Sequence, residues 1–371
     1  MTARIEFLTS YDLTRLAEEW LELQSRSDGN FFLSWSWIGC WLQTTQARPF
    51  LFRVTEGTQT IALGFLSRHL ARRHFRKVRQ LCLNETGVPV HDKITIEHNG
   101  VLVARGFSSN FARQIFREIM ASQSLAPWDE LVLGGVSSMW IASAKSAGLT
   151  VETDRANADY RVDLNAITAS GRDWQASLSA NLRAQFRQSR TFAERMGPLV
   201  LSRAQTSEEA FVYFDGLRCL HDAYWRTKKK PGAFASEFSL AFHRSLISQN
   251  VANCGVELLQ LAAGDQVLGY LYNFRYADTV CNYQSGFAYL DDNRHRPGLL
   301  AHGLAIEQSI AQGMGQYDFL AGDSQYKQRL GKDAGQLVWC RAQRNRPGLA
   351  AERLARRAKA SLTRLLQRPR R

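Results

Sequence analysis

Asp318, Asp323, Tyr326 and Lys327 crowd into one short run of the chain. Carboxylates can take a proton, a phenol can return one, and an ammonium can bind an anion or steady a developing negative charge. All four follow or end a strand pattern, Gln316 to Leu320, so a strand end presents them. A second group lies upstream, where Arg296-Pro297-Gly298 opens an apolar-periodic helix running from Leu299 to about Gln312. The N–H groups of Gly298, Leu299, Leu300 and Ala301 have no partner inside such a helix and attract phosphate, with Arg296 adding charge. A third group is Arg183, Arg187 and Arg190, spaced i, i+4, i+7 on one helix face, which can clamp phosphate or carboxylate bidentately.

Each group has a plainer reading. Gly322-Asp323-Ser324 also suits a strand-to-helix turn with Asp as N-cap. Arg296-Pro297-Gly298 also suits a simple helix entry, and three arginines on one face also suit a solvated surface. Taken singly each plainer reading wins; the groups taken together, in the order of their elements and with the family resemblance they carry, favour a site. Thr279 to Phe287 is a β-branched and aromatic strand, followed by a polar loop, the helix and the second strand. That order aims a helix N-terminus at the gap beside a strand end, next to the titratable run.

The residues Tyr283-Gln284-Ser285-Gly286-Phe287, Arg296-Pro297-Gly298-Leu299-Leu300, Tyr317-Asp318-Phe319-Leu320 and Gly322-Asp323-Ser324-Gln325-Tyr326-Lys327 carry a resemblance. The stretch resembles the acyl-CoA-binding half of the GNAT acyltransferase fold and, within it, FemAB-like acetyltransferases associated with cellulose biosynthesis. Looser similarity reaches Asn181-Leu182-Arg183 and Leu220-His221. Leu300 stands where the family places Gly or Ala in its pyrophosphate loop.

The resemblance implies an N- or O-acyltransferase that moves an acyl group from acyl-CoA to an amine or hydroxyl of a sugar or envelope precursor. It implies a pyrophosphate held by Arg296, Gly298, Leu299, Leu300 and Ala301, and pantetheine amides paired along Tyr283 and Gln284. Asp323 is then the expected base with Asp318 second, Tyr326 the proton donor to the leaving thiolate, and Lys327 a partner of the carboxylate or acceptor. Arg183, Arg187 and Arg190 would bind substrate. FemAB relatives use aminoacyl-tRNA instead, and the arginine helix with the basic run at 68–79 keeps that donor open. A non-catalytic scaffold for a membrane polysaccharide synthase is the other alternative.

The 371 residues and 45% hydrophobic content suffice for a large core. Net charge is +13, of which +8 lies beyond Asn345, leaving a mildly basic body suited to an anionic substrate. Six scattered cysteines without C-x-x-C spacing read as reduced core residues of a cytoplasmic protein, and no residues show metal-ligand spacing. No signal peptide or membrane span is expected. The basic run at 68–79 reads as an anion-attracting patch or a charged edge strand.

Alternating strands and helices predict an α/β fold with mixed sheets and two GNAT-like halves. The expected divisions are a degenerate N-terminal half at 1–162, a transferase half at 163–345, and a basic amphipathic tail at 346–371. That tail suits anionic lipid at the inner membrane face, or equally a frayed solubilising tail. The polar loop Ile94–Gly100 follows an apolar strand, a position that often lines a site. His221 and His302 sit on helices among apolar residues and read as structural.

Overall fold

The computed structural model describes residues 3–73, 76–107, 109–322 and 324–366. Its strands are β1 (Arg4–Leu8), β2 (Phe50–Glu56), β3 (Gln59–Arg73), β4 (Arg76–Leu83), β5 (Leu102–Val103), β6 (Glu130–Ser137), β7 (Thr150–Asp163), β8 (Leu199–Arg203), β9 (Val256–Ala263), β10 (Gln266–Tyr276), β11 (Thr279–Phe287), β12 (Gln316–Ala321) and β13 (Lys332–Gln343). The first helices are α1 (Leu13–Ser25), α2 (Trp35–Thr45), α3 (Ser109–Ala121), α4 (Ser138–Ser146), α5 (Leu164–Ala169) and α6 (Trp174–Ser177). After them come α7 (Ala180–Glu194), α8 (Ser207–Thr227), α9 (Glu237–Asn250), α10 (Pro297–Ala311), α11 (Gln325–Leu330) and α12 (Pro347–Leu366).

From β1 to β7, and again from β8 to β13, the chain runs strand, two helices, three strands, helix, strand, helix, strand, with β5 inserted in the first pass. The sheet repeats the pattern. Antiparallel β1–β4 end in a short parallel pairing of Gln80–Cys82 with Glu130–Val132, and antiparallel β8–β11 end in a parallel pairing of Thr279–Cys281 with Gln316–Asp318. The last strand of each half crosses over. β7 pairs with β12, β13 pairs with β6, and the two pair with each other. The result is one sheet in the order β1-β2-β3-β4-β6-β13-β7-β12-β11-β10-β9-β8, the mixed α/β fold with two related halves that the sequence predicts.

Apolar periodicity explains the packing. The buried Trp37 of α2 meets Phe242 of α9 at 4.9 Å, and Phe31 stacks on Phe274 of β10 at 4.3 Å, so aromatics of both halves share one core. A second cluster lies between α7, α10 and the sheet. There Gly303 matters, because a Cβ on it would lie 2.1 Å from the Phe186 ring, so a larger residue would push α7 off α10.

The run at 68–79 forms the outer part of the β3–β4 hairpin: β3 pairs with β2 only up to Leu66 and β4 with β6 only from Gln80, so its described residues have a strand neighbour on one side, as a charged edge does. Part of the charge is paired, Arg79 meeting Asp129 at 2.9 Å and Arg73 binding Glu130 and Glu352. The tail begins as a docked helix. Leu349 is fully buried, and Arg353 donates to Gln343 at 2.8 Å. No helix among the described residues is long and apolar enough to cross a membrane.

Candidate active site

β11 and β12 run parallel for three residue pairs and then part. The parting begins at an irregularity in β12, whose register against β7 shifts between Asp318 and Ala321, with Leu320 at φ +59°. A left-handed conformation is costly for a branched residue, and such strain concentrates at functional sites. The opening is a cavity of about 740 Å³ walled by residues 282–287 of β11, the end of β12, and the starts of α10 and α11. Leu220, His221 and Tyr224 of α8 close one side. Ligand pockets are typically on the order of 300–1,000 Å³.

The start of α10 faces the cavity. Pro297 occupies the first turn, no side chain caps the helix, and Gly298 and Leu299 reach the cavity wall. The buried Ser189 of α7 fixes the entry, its Oγ accepting from the Arg296 amide at 3.1 Å and donating to the Arg296 carbonyl at 3.3 Å. Arg296 Nη1 and His295 Nε2 are buried without a hydrogen-bond partner among the described residues. Both residues line the cavity. Buried donors left open in this way suit a diphosphate.

Other expected site residues fall in different places. Tyr283 and Gln284 line the cavity, but the Tyr283 hydroxyl donates to the Ile94 carbonyl. Leu300 and Ala301 turn into the core, and the Leu300 amide donates to the Arg296 carbonyl within the helix. Leu300 therefore leaves the helix entrance open. Tyr326 lines the cavity, stacks on His302 at 5.0 Å, and is held protonated by burial. Lys327 donates to the carbonyls of Leu320 at 3.2 Å and Ala321 at 2.8 Å, gripping the bend in β12. Asp323 lies outside the described residues.

Asp318 is not in the cavity wall. Its Oδ2 lies 2.9 Å from Arg161 Nε and 3.3 Å from His98 Nε2, while Oδ1 accepts from the Leu320 amide at 2.6 Å. Burial alone would raise this carboxyl, but His98, Arg161 and the Leu320 amide outweigh it and hold it below the usual carboxylate range. Asp159, in the same cluster, is pushed up by burial and by Asp318. His98, Asp159 and Asp318 lie close enough to share a metal ion, yet Arg161 already binds both carboxylates. The arginine stripe divides as well: Arg190 meets Glu307 of α10 at 3.0 Å, whereas Arg183 and Arg187 have no ion-pair partner among the described residues.

Glu97 is the residue sequence reasoning passed over. It lines the cavity from the N-terminal half, and its Oε2 accepts from the Ala321 amide at 2.7 Å. Burial, and secondarily Lys327, sets its carboxyl at about 7. The signal was a polar loop following an apolar strand; its partner lies 224 residues away, so only the fold unites them. His221 also lines the wall, but its Nε2 accepts from the Ala233 amide at 3.1 Å and its Nδ1 lies 3.2 Å from the Ser285 carbonyl. His302 is fully buried, held neutral with its pKa near 3, and has Nδ1 3.2 Å from the Tyr317 hydroxyl.

The comparisons agree with this geometry. Residues 180–328 match the sequence model of the acetyltransferase (GNAT) domain, a span holding α10, β12 and most of the cavity. No match was found among curated protein sequences. Among solved structures the chain is similar to FemX, with 7% identity and TM-score 0.57, covering 91% of this chain and 97% of that one. It is also similar to L-PGS from Bacillus licheniformis, with 12% identity and TM-score 0.54, covering 92% and 96%. A third is the C-terminal domain of a candidate lysylphosphatidylglycerol synthetase from Agrobacterium fabrum, with 10% identity and TM-score 0.54, covering 93% and 95%. The fold is that of a GNAT-type acyltransferase with two related halves.

Proposed function

We propose that the cavity between β11 and β12 transfers an acyl group from acyl-CoA to an amine or hydroxyl. The observation that carries this reading is the uncapped start of α10 beside a cavity lined by Arg296, whose Nη1 is buried without a hydrogen-bond partner among the described residues. A diphosphate would lie on Gly298 and Leu299, and the donor's amides would pair along the free edge of β11 beyond Cys281. The positive charge of Lys327 at the bend in β12 would then polarise the acyl carbonyl. Tyr326 is proposed to return a proton to the leaving group. Sugar or envelope-precursor acceptors are proposed from the family resemblance.

A second reading replaces acyl-CoA with aminoacyl-tRNA. Arg183 and Arg187 favour it, since they stand unpaired on α7 beside Leu182 of the cavity wall and can meet an RNA backbone. Thermal shift separates the readings. Acetyl-CoA should raise the melting temperature, and Arg296→Ala should abolish the rise. Stabilisation by aminoacyl-tRNA alone would select the second reading, and stabilisation by neither would leave a scaffold. The cationic end of α12, whose first turns are spent on the β3–β4 hairpin, is proposed to meet anionic lipid.

A further inference from the structure

We propose that Glu97, delivered by the N-terminal half, is the general base of the transfer step in the C-terminal cavity. The inference rests on the acyltransferase reading and names the group that accepts the acceptor's proton. Among the described residues, Glu97 is the sole carboxylate lining that cavity.

Its position is fixed from several sides. The Ala321 amide holds one carboxylate oxygen at 2.7 Å, beside the strained bend where the acyl carbonyl would be polarised. Asn30 Nδ2 donates to the His98 carbonyl at 2.9 Å, Asn99 Nδ2 donates to the Leu83 carbonyl at 2.9 Å, and Tyr283 donates to Ile94. Gly135, at φ +65°, lets the segment pass, since a Cβ there would lie 2.5 Å from the Ile96 carbonyl oxygen. The rival groups are occupied. Asp318 is bound by Arg161 and His98, and both ring nitrogens of His221 have partners.

Lys327 faces Glu97 from α11, Asp318 from β12, Tyr283 and Cys281 from β11, and His98 from its own segment. Burial raises the carboxyl, Lys327, the Ala321 amide and His98 lower it, and Asp318 raises it again, to about 7. Both protonation states are therefore populated near neutral pH, as a base that must also release its proton requires. In the step, the ionised carboxylate takes the proton of the acceptor N–H or O–H as that atom bonds to the acyl carbon. The tetrahedral adduct collapses with cleavage of the C–S bond, or the C–O bond of an aminoacyl ester. The leaving sulfur or oxygen receives a proton from Tyr326, which regains one from solvent, and Glu97 loses its own to solvent.

Glu97→Gln keeps an acceptor for the Ala321 amide and removes the base. The test measures CoA release from acetyl-CoA with glucosamine as acceptor, between pH 5.5 and 8.5, together with carboxyl titration by infrared difference spectroscopy. The full-length protein should show a carboxyl titrating near pH 7 that E97Q lacks, and a rate rising through the same pH. E97Q should bind acetyl-CoA as before but release CoA roughly 100- to 1,000-fold more slowly, without the pH-dependent rise. Glu97→Asp should retain the rise at a reduced rate. An unchanged rate and pH profile in E97Q overturns the proposal, as does a Glu97 carboxyl titrating near pH 4. Failure of acetyl-CoA to stabilise even the wild type strikes the donor reading instead, and the titration still reports on Glu97.

Discussion

The two halves start from one plan and end with opposite clefts. In the C-terminal half, residues 288–296 join β11 to α10 directly, and the parted strands enclose about 740 Å³. In the N-terminal half the corresponding connection, from β4 to α3, carries the long segment 84–107 and β5. What remains beside α3 and the end of β6 is about 390 Å³. Asn84 and Asn99 bind each other at 2.9 Å inside that gap, with Asn99 bridged to Val136 of β6. The segment that fills one cleft furnishes the other. Glu97 and His98 project from it to Ala321 and Asp318 of β12. The half whose own gap is largely filled thus supplies part of the wall of the other's cavity and, on our proposal, its base.

The widest break in this arrangement is Asp318→Ala. It strands Arg161 and His98 in a buried cluster and cuts the tie between segment 84–107 and β12. Losing one member of a buried ionic group costs about 3–5 kcal/mol, so the urea midpoint should fall sharply. A midpoint within error of the wild type would show that the shared aromatic core and the sheet join the halves without this cluster. Asn99→Ala comes next. It is buried, it donates to Leu83 and accepts from Asn84 and Gly100, and its removal leaves those groups unpaired at a cost of about 1–3 kcal/mol. If the plug also positions the base, turnover in the distant half should fall with it, by roughly tenfold; a loss of stability with unaltered turnover would separate the two roles.

Ser189→Ala tests the open half by itself. It removes the pin on Arg296 and leaves the N-terminal half untouched. The expected effect is about 1 kcal/mol, seen as roughly fivefold weaker acetyl-CoA binding by calorimetry. Unaltered affinity would mean that the helix entrance is held by Pro297 and packing without the serine.

How far the sequence carried this picture depends on the range of each interaction. Helix α10 and strand β11 were readable within about two residues, because Leu300, Ile306 and Val280 mark the buried faces locally. β7 is less legible: its middle, Thr153–Ala156, is exposed, and the strand is ordered by pairing to β12 and β13, whose residues lie far away in the chain. The strand exchange was invisible for the same reason. So was the role of Glu97, whose neighbours by sequence are loop residues and whose partners by structure belong to β12 and α11. Asp318 misleads in the opposite sense: it sits beside the right strand end, yet its side chain binds Arg161 and His98 and is not part of the cavity lining.

The smallest expected effect makes the finest comparison. Glu85 is the N-terminal counterpart of Glu97, a buried carboxylate bonded to a β6 amide, Gly134, as Glu97 is bonded to a β12 amide. Burial, then Asp92, raises its carboxyl to about 8. In both residues the folded protein holds a proton that the unfolded chain releases near pH 4.5. Each therefore favours the fold at low pH, and that contribution fades as pH rises through about 7 for Glu97 and about 8 for Glu85. Glu85→Gln and Glu97→Gln should each melt progressively higher than the wild type as pH is raised from 5 to 8.5. They should part company in turnover. Glu85 lines neither cleft's cavity, so its substitution should change the rate by less than about twofold and preserve the rise near pH 7. If Glu85→Gln erased that rise, the titrating group would belong to the filled half, and the division of labour between the halves would have to be reversed.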